Sequence, residues 1–145
     1  MKTLKRSITV LVCLILFTSC TKSIDREKEK SYIEVRKGIT YYKGTPFTGE
    51  IFENYENGQL RYISYFKDGM FDGSYEMYYE HGQLEFKINF KDGKQDGLYE
   101  GYYENGQLRL KENWKDGKRD GLFEMYYKDG QLEDKINYKD NKRID

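Results

Sequence analysis

The stretch Gly97 to Asp120 reads GLYEGYYENGQLRLKENWKDGKRD, and it decides the fold because the chain repeats it. Gly73 to Asp96 reads GSYEMYYEHGQLEFKINFKDGKQD and Gly49 to Asp72 reads GEIFENYENGQLRYISYFKDGMFD. Gly121 to Ile144 reads GLFEMYYKDGQLEDKINYKDNKRI. Four copies at a fixed spacing of 24 residues, with no insertion or deletion, predict a repeat array and not a globule around one core.

Composition points to strands. The 145 residues include 15 Tyr and 14 Gly against one Pro, one Trp and one His. This suits a turn-rich all-β chain with aromatic faces. Formal net charge is zero, which argues against a nucleic-acid binder, since that would carry a basic excess.

The first residues read differently from the rest. Lys2, Lys5 and Arg6 precede an apolar run from Ser7 to Phe17, which as a helix spans about 16 Å, half of a bilayer core. That pattern predicts a secretory signal over residues 1–19 rather than a membrane-spanning anchor. Leu16-Phe17-Thr18-Ser19-Cys20 resembles a bacterial lipobox, whose cysteine is lipidated and becomes the mature N-terminus; an ordinary cleaved signal peptide is the alternative. If Cys20 is the anchor, Cys13 leaves with the signal, and 22 basic face 25 acidic side chains in the mature chain. Several acyl chains on one cysteine would hold durably. By the same resemblance, Thr21 stands where an aspartate often retains lipoproteins at the inner membrane, so the outer membrane or cell surface is expected.

Residues 20–31 are expected to be a flexible tether, because Thr21 to Ser31 has one large apolar side chain among many charges. Residues 32–48 read as a capping hairpin, with Tyr32 to Val35 and Ile39 to Tyr42 about a Lys37-Gly38 turn, followed by a half repeat holding Pro46. Repeats follow at 49–72, 73–96, 97–120 and 121–145.

Within each copy Asn57-Gly58, His81-Gly82, Asn105-Gly106 and Asp129-Gly130 recur at one position. Such pairs suit a two-residue type I′ hairpin turn. The register that follows opposes Tyr103 to Leu108, Gly101 to Leu110, Glu100 to Lys111 and Gly97 to Trp114. One face then gathers Tyr99, Tyr103, Leu108, Leu110 and Trp114, and the other Glu100, Tyr102, Arg109 and Lys111. The same rule sets Glu76 against Lys87 and Glu124 against Lys135, so opposite charges meet in three copies. A second connection, Lys91-Asp92-Gly93-Lys94 and its equivalents, returns the chain. The expected architecture is all-β: a single-layer antiparallel meander of hairpin repeats.

Gly97 to Gly106 has the form G-x-Y-x-G-x-Y-x-x-G and resembles the MORN repeat, with Tyr103 in the place of the usual tryptophan. The middle glycine occurs only at Gly101, where the other copies have Glu53, Met77 and Met125. Together with Tyr-Tyr-x-x-Gly-Gln-Leu and Lys-Asp-Gly-Lys, this is similar to a bacterial MORN variant. The resemblance implies a single-layered β ribbon serving as an interaction or spacing module; some such relatives are antitoxin-like.

Catalytic sets are hard to assemble from this sequence. His81 replaces an asparagine or aspartate at a turn, and no serine stands beside a histidine and an acid. Asp68/Asp72, Asp92/Asp96 and Asp116/Asp120 invite a calcium reading, but equivalents two strands apart lie about 9.6 Å from each other, too far to share one ion. Glu76, Glu100 and Glu124 each have a lysine opposite and read as paired surface charge. The column Lys67, Lys91, Lys115 and Lys139 is offset by the aspartates beside it.

Turn chemistry and paired surface charge do not account for the aromatic face, with candidate binding residues Tyr79, Phe90, Tyr99, Tyr103, Trp114 and Tyr127. A single-layer sheet has no second layer to cover it. The expectation is a non-enzymatic, lipid-anchored binding or scaffold module of the cell envelope. Its partners would be a protein, still to be identified, and the membrane through Cys20, with no nucleic acid, cofactor or metal. The alternative is an antitoxin or immunity-type protein that neutralises a cognate toxin.

Overall fold

The computed structural model describes residues 22–144, so Cys20 and the expected signal stretch lie outside the described residues. The array is one antiparallel meander. Strands β5 (Gly49–Asn54), β6 (Leu60–Lys67), β7 (Met70–Tyr78), β8 (Leu84–Lys91), β9 (Lys94–Tyr102), β10 (Leu108–Lys115), β11 (Lys118–Tyr126), β12 (Leu132–Lys139) and β13 (Lys142–Arg143) pair in chain order. A three-stranded sheet of β2 (Ile33–Arg36), β3 (Ile39–Tyr42) and β4 (Thr45–Pro46) caps the N-terminal end, with Pro46 in its two-residue edge strand.

The segment expected to be a tether is ordered where it is described. Ser23–Asp25 forms β1, which adds to the long sheet in parallel beside β5, pairing Ile24 with Ile51. Helix α1 (Arg26–Glu29) follows, its first turn capped by the Asp25 carboxylate, which accepts from the Glu27 and Lys28 amides. Average composition hid one well-placed side chain. Ile24 is fully buried among Tyr42, Phe47, Ile51 and Phe66, and the β-ladder and helix cap satisfy the polar backbone around it.

The hairpin turns differ from the expected type. In each Asn-Gly connection the Gly106-type amide donates to the Tyr103-type carbonyl, and the Tyr103-type amide donates to the Gln107-type carbonyl, both at 2.8 Å in this copy. Only the glycine has positive φ, 83° at Gly106. This is a three-residue loop, a type I turn closed by a glycine bulge. The two-residue type I′ geometry belongs instead to the other connection, where Asp116 (φ 49°) and Gly117 (φ 81°) are both left-handed and Lys115 pairs with Lys118.

Despite this, Gly101–Leu110, Glu100–Lys111 and Gly97–Trp114 are opposed as expected. The longer loop shifts the register by one, and a bulge between Leu108 and Leu110 shifts it back. The correction falls next to the turn. Leu108 pairs with Tyr102, not Tyr103, and Arg109 lies over Gly101 beside Tyr99 on the aromatic face, not behind it.

A second irregularity recurs at Gly73, Gly97 and Gly121, the first glycines of the second to fourth copies. Asn113 faces the three residues Asp120 to Leu122, with Gly121 at φ 117°. The Asn113 amide nitrogen donates to the Leu122 carbonyl at 3.1 Å, and Asn89 does the same for Leu98 at 2.9 Å. Each asparagine satisfies a carbonyl that the bulge removes from the ladder.

Copies are also stitched turn to turn. On one edge Asn57, His81 and Asn105 reach the carbonyls of Glu80, Glu104 and Lys128. On the other, the Asp72 and Asp96 carboxylates accept from the Asp92 and Asp116 amides. Asp72 and Asp96 are thus turn caps, and among the described residues no group of acidic, histidine or cysteine side chains is placed to hold a metal ion.

Candidate binding face

The register sorts side chains onto two faces. Behind, Glu76, Lys87, Glu100, Lys111, Glu124 and Lys135 oppose one another in unbroken alternation across six strands. Lys87 meets Glu76 at 2.8 Å and Lys135 meets Glu124 at 3.5 Å. The Glu76 carboxyl feels burial first, which pushes its pKa up, but the Lys87, Tyr78 and Ser74 donors outweigh burial and hold it below the usual range.

In front runs an aromatic ladder. Tyr62, Tyr75, Phe86 and Tyr99 succeed one another at 5.9, 5.7 and 6.1 Å between ring centres, with rings within 30° of parallel. Beside it Phe66, Phe71 and Phe90 follow at 4.5 and 5.1 Å. Burial pushes the Tyr62 phenol up to about 12, against the opposing pull of the Arg26 guanidinium, and raises Tyr75 and Tyr99 as well. Such offset contacts add about 0.5–1.5 kcal/mol per pair beyond area burial. The ladder therefore supports the sheet as well as coating it.

It does not become a core. Between Met70 and Tyr126 no hydrophobic side chain is buried, whereas five buried apolar residues cluster at the N-terminal cap. The middle of the array presents half-buried rings to its surroundings.

The expected binding residues fall into two groups. Phe90, Tyr99 and Trp114 stand on the ladder face through their pairing with Gln95, Ile88 and Arg119. Tyr79 and Tyr103 sit at the turns with their hydroxyls donated to the carbonyls of Tyr102 and Tyr126, so their first task is joining copies. Tyr127 ends this series and is half exposed. His81 is a turn residue, stacked on Tyr79 at 5.6 Å.

Two buried carboxylates on the aromatic face escaped sequence reasoning. Glu53 accepts from Arg26 at 2.9 Å and from Arg61 at 2.7 Å. Burial raises its pKa, but the two guanidinium groups prevail and set it below the usual range. Glu112 accepts from the Trp114 indole at 2.7 Å and from Arg119 at 3.1 and 3.3 Å. The Arg119 guanidinium lies 5.6 Å from both the Trp114 and Tyr138 rings. The signal was available in part: Glu112 stands where other copies have Ser64, Ile88 and Ile136, while Arg119 stands where they have Phe71, Gln95 and Arg143. A single acid in an otherwise uncharged column calls for a cation near it.

No curated protein and no solved structure matches the chain. A family model described as the MORN repeat variant matches residues 47–68, 71–92, 95–116 and 119–140, one match to each hairpin and its return. These matches cover more than half of the sequence, and they coincide with the phased strands, the glycine bulges and the aromatic ladder described above. The chain belongs to the MORN repeat variant family.

Proposed function

We propose that this chain is a non-enzymatic binding or scaffold module that engages a protein partner through its aromatic face and is held at the cell envelope by lipidated Cys20. The observation that carries the reading is the ladder from Tyr62 to Tyr99, which is continuous, ordered and left without a covering layer. Exposed contiguous apolar surface on a folded chain marks an interaction site more often than a structural accident. Aromatic residues are also those that interfaces favour. The membrane attachment rests on the Leu16 to Cys20 motif.

The test uses intact cells. A photoreactive phenylalanine analogue replaces Phe86 on the ladder face or Tyr102 on the opposite face. Crosslinks to one defined protein from position 86 and none from position 102 are expected; the reverse pattern would overturn the assignment of the face. Acyl labelling that persists in Cys20→Ala would overturn the anchor.

A further inference from the structure

Between the N-terminal cap and the first strands of the array lies a groove of about 740 Å³. Its floor is Tyr62, Phe66, Phe71 and Tyr75, and its wall includes Ile33 and Val35 of the capping hairpin. The size is that of a small-molecule site. The Ser64 hydroxyl at its base donates to the Ile51 carbonyl at 3.2 Å and is spent there.

Charge enters the lining at one place. Arg26 and Lys30, four residues apart in the helical segment that borders the groove, are its only charged residues, and no carboxylate lines it. Arg26 binds Glu53 through one nitrogen, but its side chain is 51% exposed and keeps other donors. The Lys30 ammonium has no ion pair or hydrogen bond among the described residues. The walls are dry enough for burial to raise the phenols of Tyr62 and Tyr75.

We propose that this groove binds a single-chain amphiphile with a carboxylate head, a fatty-acid-like anion. The chain lies along Phe66, Phe71 and Tyr75, and the carboxylate sits at Lys30 and the outer side of Arg26. A neutral apolar ligand leaves Lys30 without an anion, while Arg26 keeps Glu53. A polyanion finds two cations and an otherwise aromatic floor. The site lies at the capped end of the sheet; it shares Tyr62 and Tyr75 with the ladder assigned above to a protein partner, whereas Phe86, Tyr99 and Trp114 lie outside it.

The experiment titrates the full chain with sodium decanoate, or with 1-decanol, and follows methyl and indole signals by NMR. Saturable shifts at the Ile33 and Ile51 methyls without a shift at the Trp114 indole are expected, with decanol about tenfold weaker. Lys30→Glu, checked for fold by circular dichroism, is expected to weaken decanoate by about tenfold or more and Lys30→Gln by less. Absence of shifts at Ile33 and Ile51, equal binding of decanol and decanoate, or indifference to both Lys30 substitutions would each overturn the proposal.

Discussion

The hydroxyl of Tyr79 donates to the backbone carbonyl of Tyr102, the residue at the end of the equivalent strand in the next copy, at 3.0 Å. Tyr55 reaches Tyr78 at 2.7 Å and Tyr103 reaches Tyr126 at 2.8 Å in the same way. These carbonyls lie where the ladder is broken by the bulge before each loop. A tyrosine in this place is therefore a joint between copies before it is a contact for anything else.

Removing one such joint is expected to loosen the array locally. Tyr103→Phe keeps the ring and loses the donor, at a cost of about 1 kcal/mol. Tyr127→Phe is expected to cost nothing measurable, because the ring is half exposed and its hydroxyl donates to no carbonyl among the described residues. Denaturant midpoints of the two variants check this, and an equal loss in both would show that the hydroxyl matters for some other reason.

The turn assignment separates two positions that look alike in sequence. Asp116 holds φ at 49°, whereas Asn105 in the other connection is not left-handed. Asp116→Val forces a β-branched residue into the left-handed region and is expected to cost about 1–3 kcal/mol. Asp116→Asn, which tolerates that region, is expected to leave the melting temperature nearly unchanged. If the two variants melt together, the type I′ geometry at this connection is wrong.

Why was the sheet legible and its turns not? The period of 24 residues shows how many strands form and which follow which, and the charge pairs from Glu76 to Lys135 support the register read from the turns. Asn-Gly and Asp-Gly both suit type I′ chemistry, so neither dipeptide reveals which loop has three residues. The bulge at Arg109 then cancelled the error in register while moving Leu108 and Arg109 to opposite faces from those expected. Ile24 was missed for another reason. Its burial depends on the cap strands and β5 meeting around it, a tertiary fact that local composition does not carry.

Acid is expected to act in part through Glu53. Its carboxyl is nearly buried and its pKa is depressed by Arg26 and Arg61 in spite of burial, so the unfolded chain binds a proton more readily than the folded one. The stabilisation is present above the ordinary glutamate value of about 4.3 and is lost as pH falls through the depressed folded value. The melting temperature is expected to drop below that pH in the wild type and to drop less steeply in Glu53→Gln. Parallel curves for the two proteins would assign the acid sensitivity to other carboxylates, with Glu76 the next candidate.

Trp114 offers the most direct probe of the aromatic face, since it is the sole tryptophan and stands on that face opposite Arg119. Its indole nitrogen is held by Glu112 at 2.7 Å, and the Arg119 guanidinium lies over the ring while also binding Glu112. The ring is thus fixed in place before any partner arrives, and a fixed aromatic group loses little entropy on binding. Addition of the protein captured by crosslinking is expected to shift Trp114 fluorescence. Trp114→Ala is expected to weaken that complex by about 2 kcal/mol or more. Truncation also strips a donor from buried Glu112, so Trp114→Phe serves as the control: Arg119 still answers the carboxylate, and a ring remains. A weakened complex in Trp114→Ala, with near-normal binding and circular dichroism in Trp114→Phe, locates the contact on the ring itself. Should a folded Trp114→Ala bind as the wild type while charge reversals at Glu100 and Lys111 abolish binding, the partner sits on the charged face and the aromatic ladder is support alone.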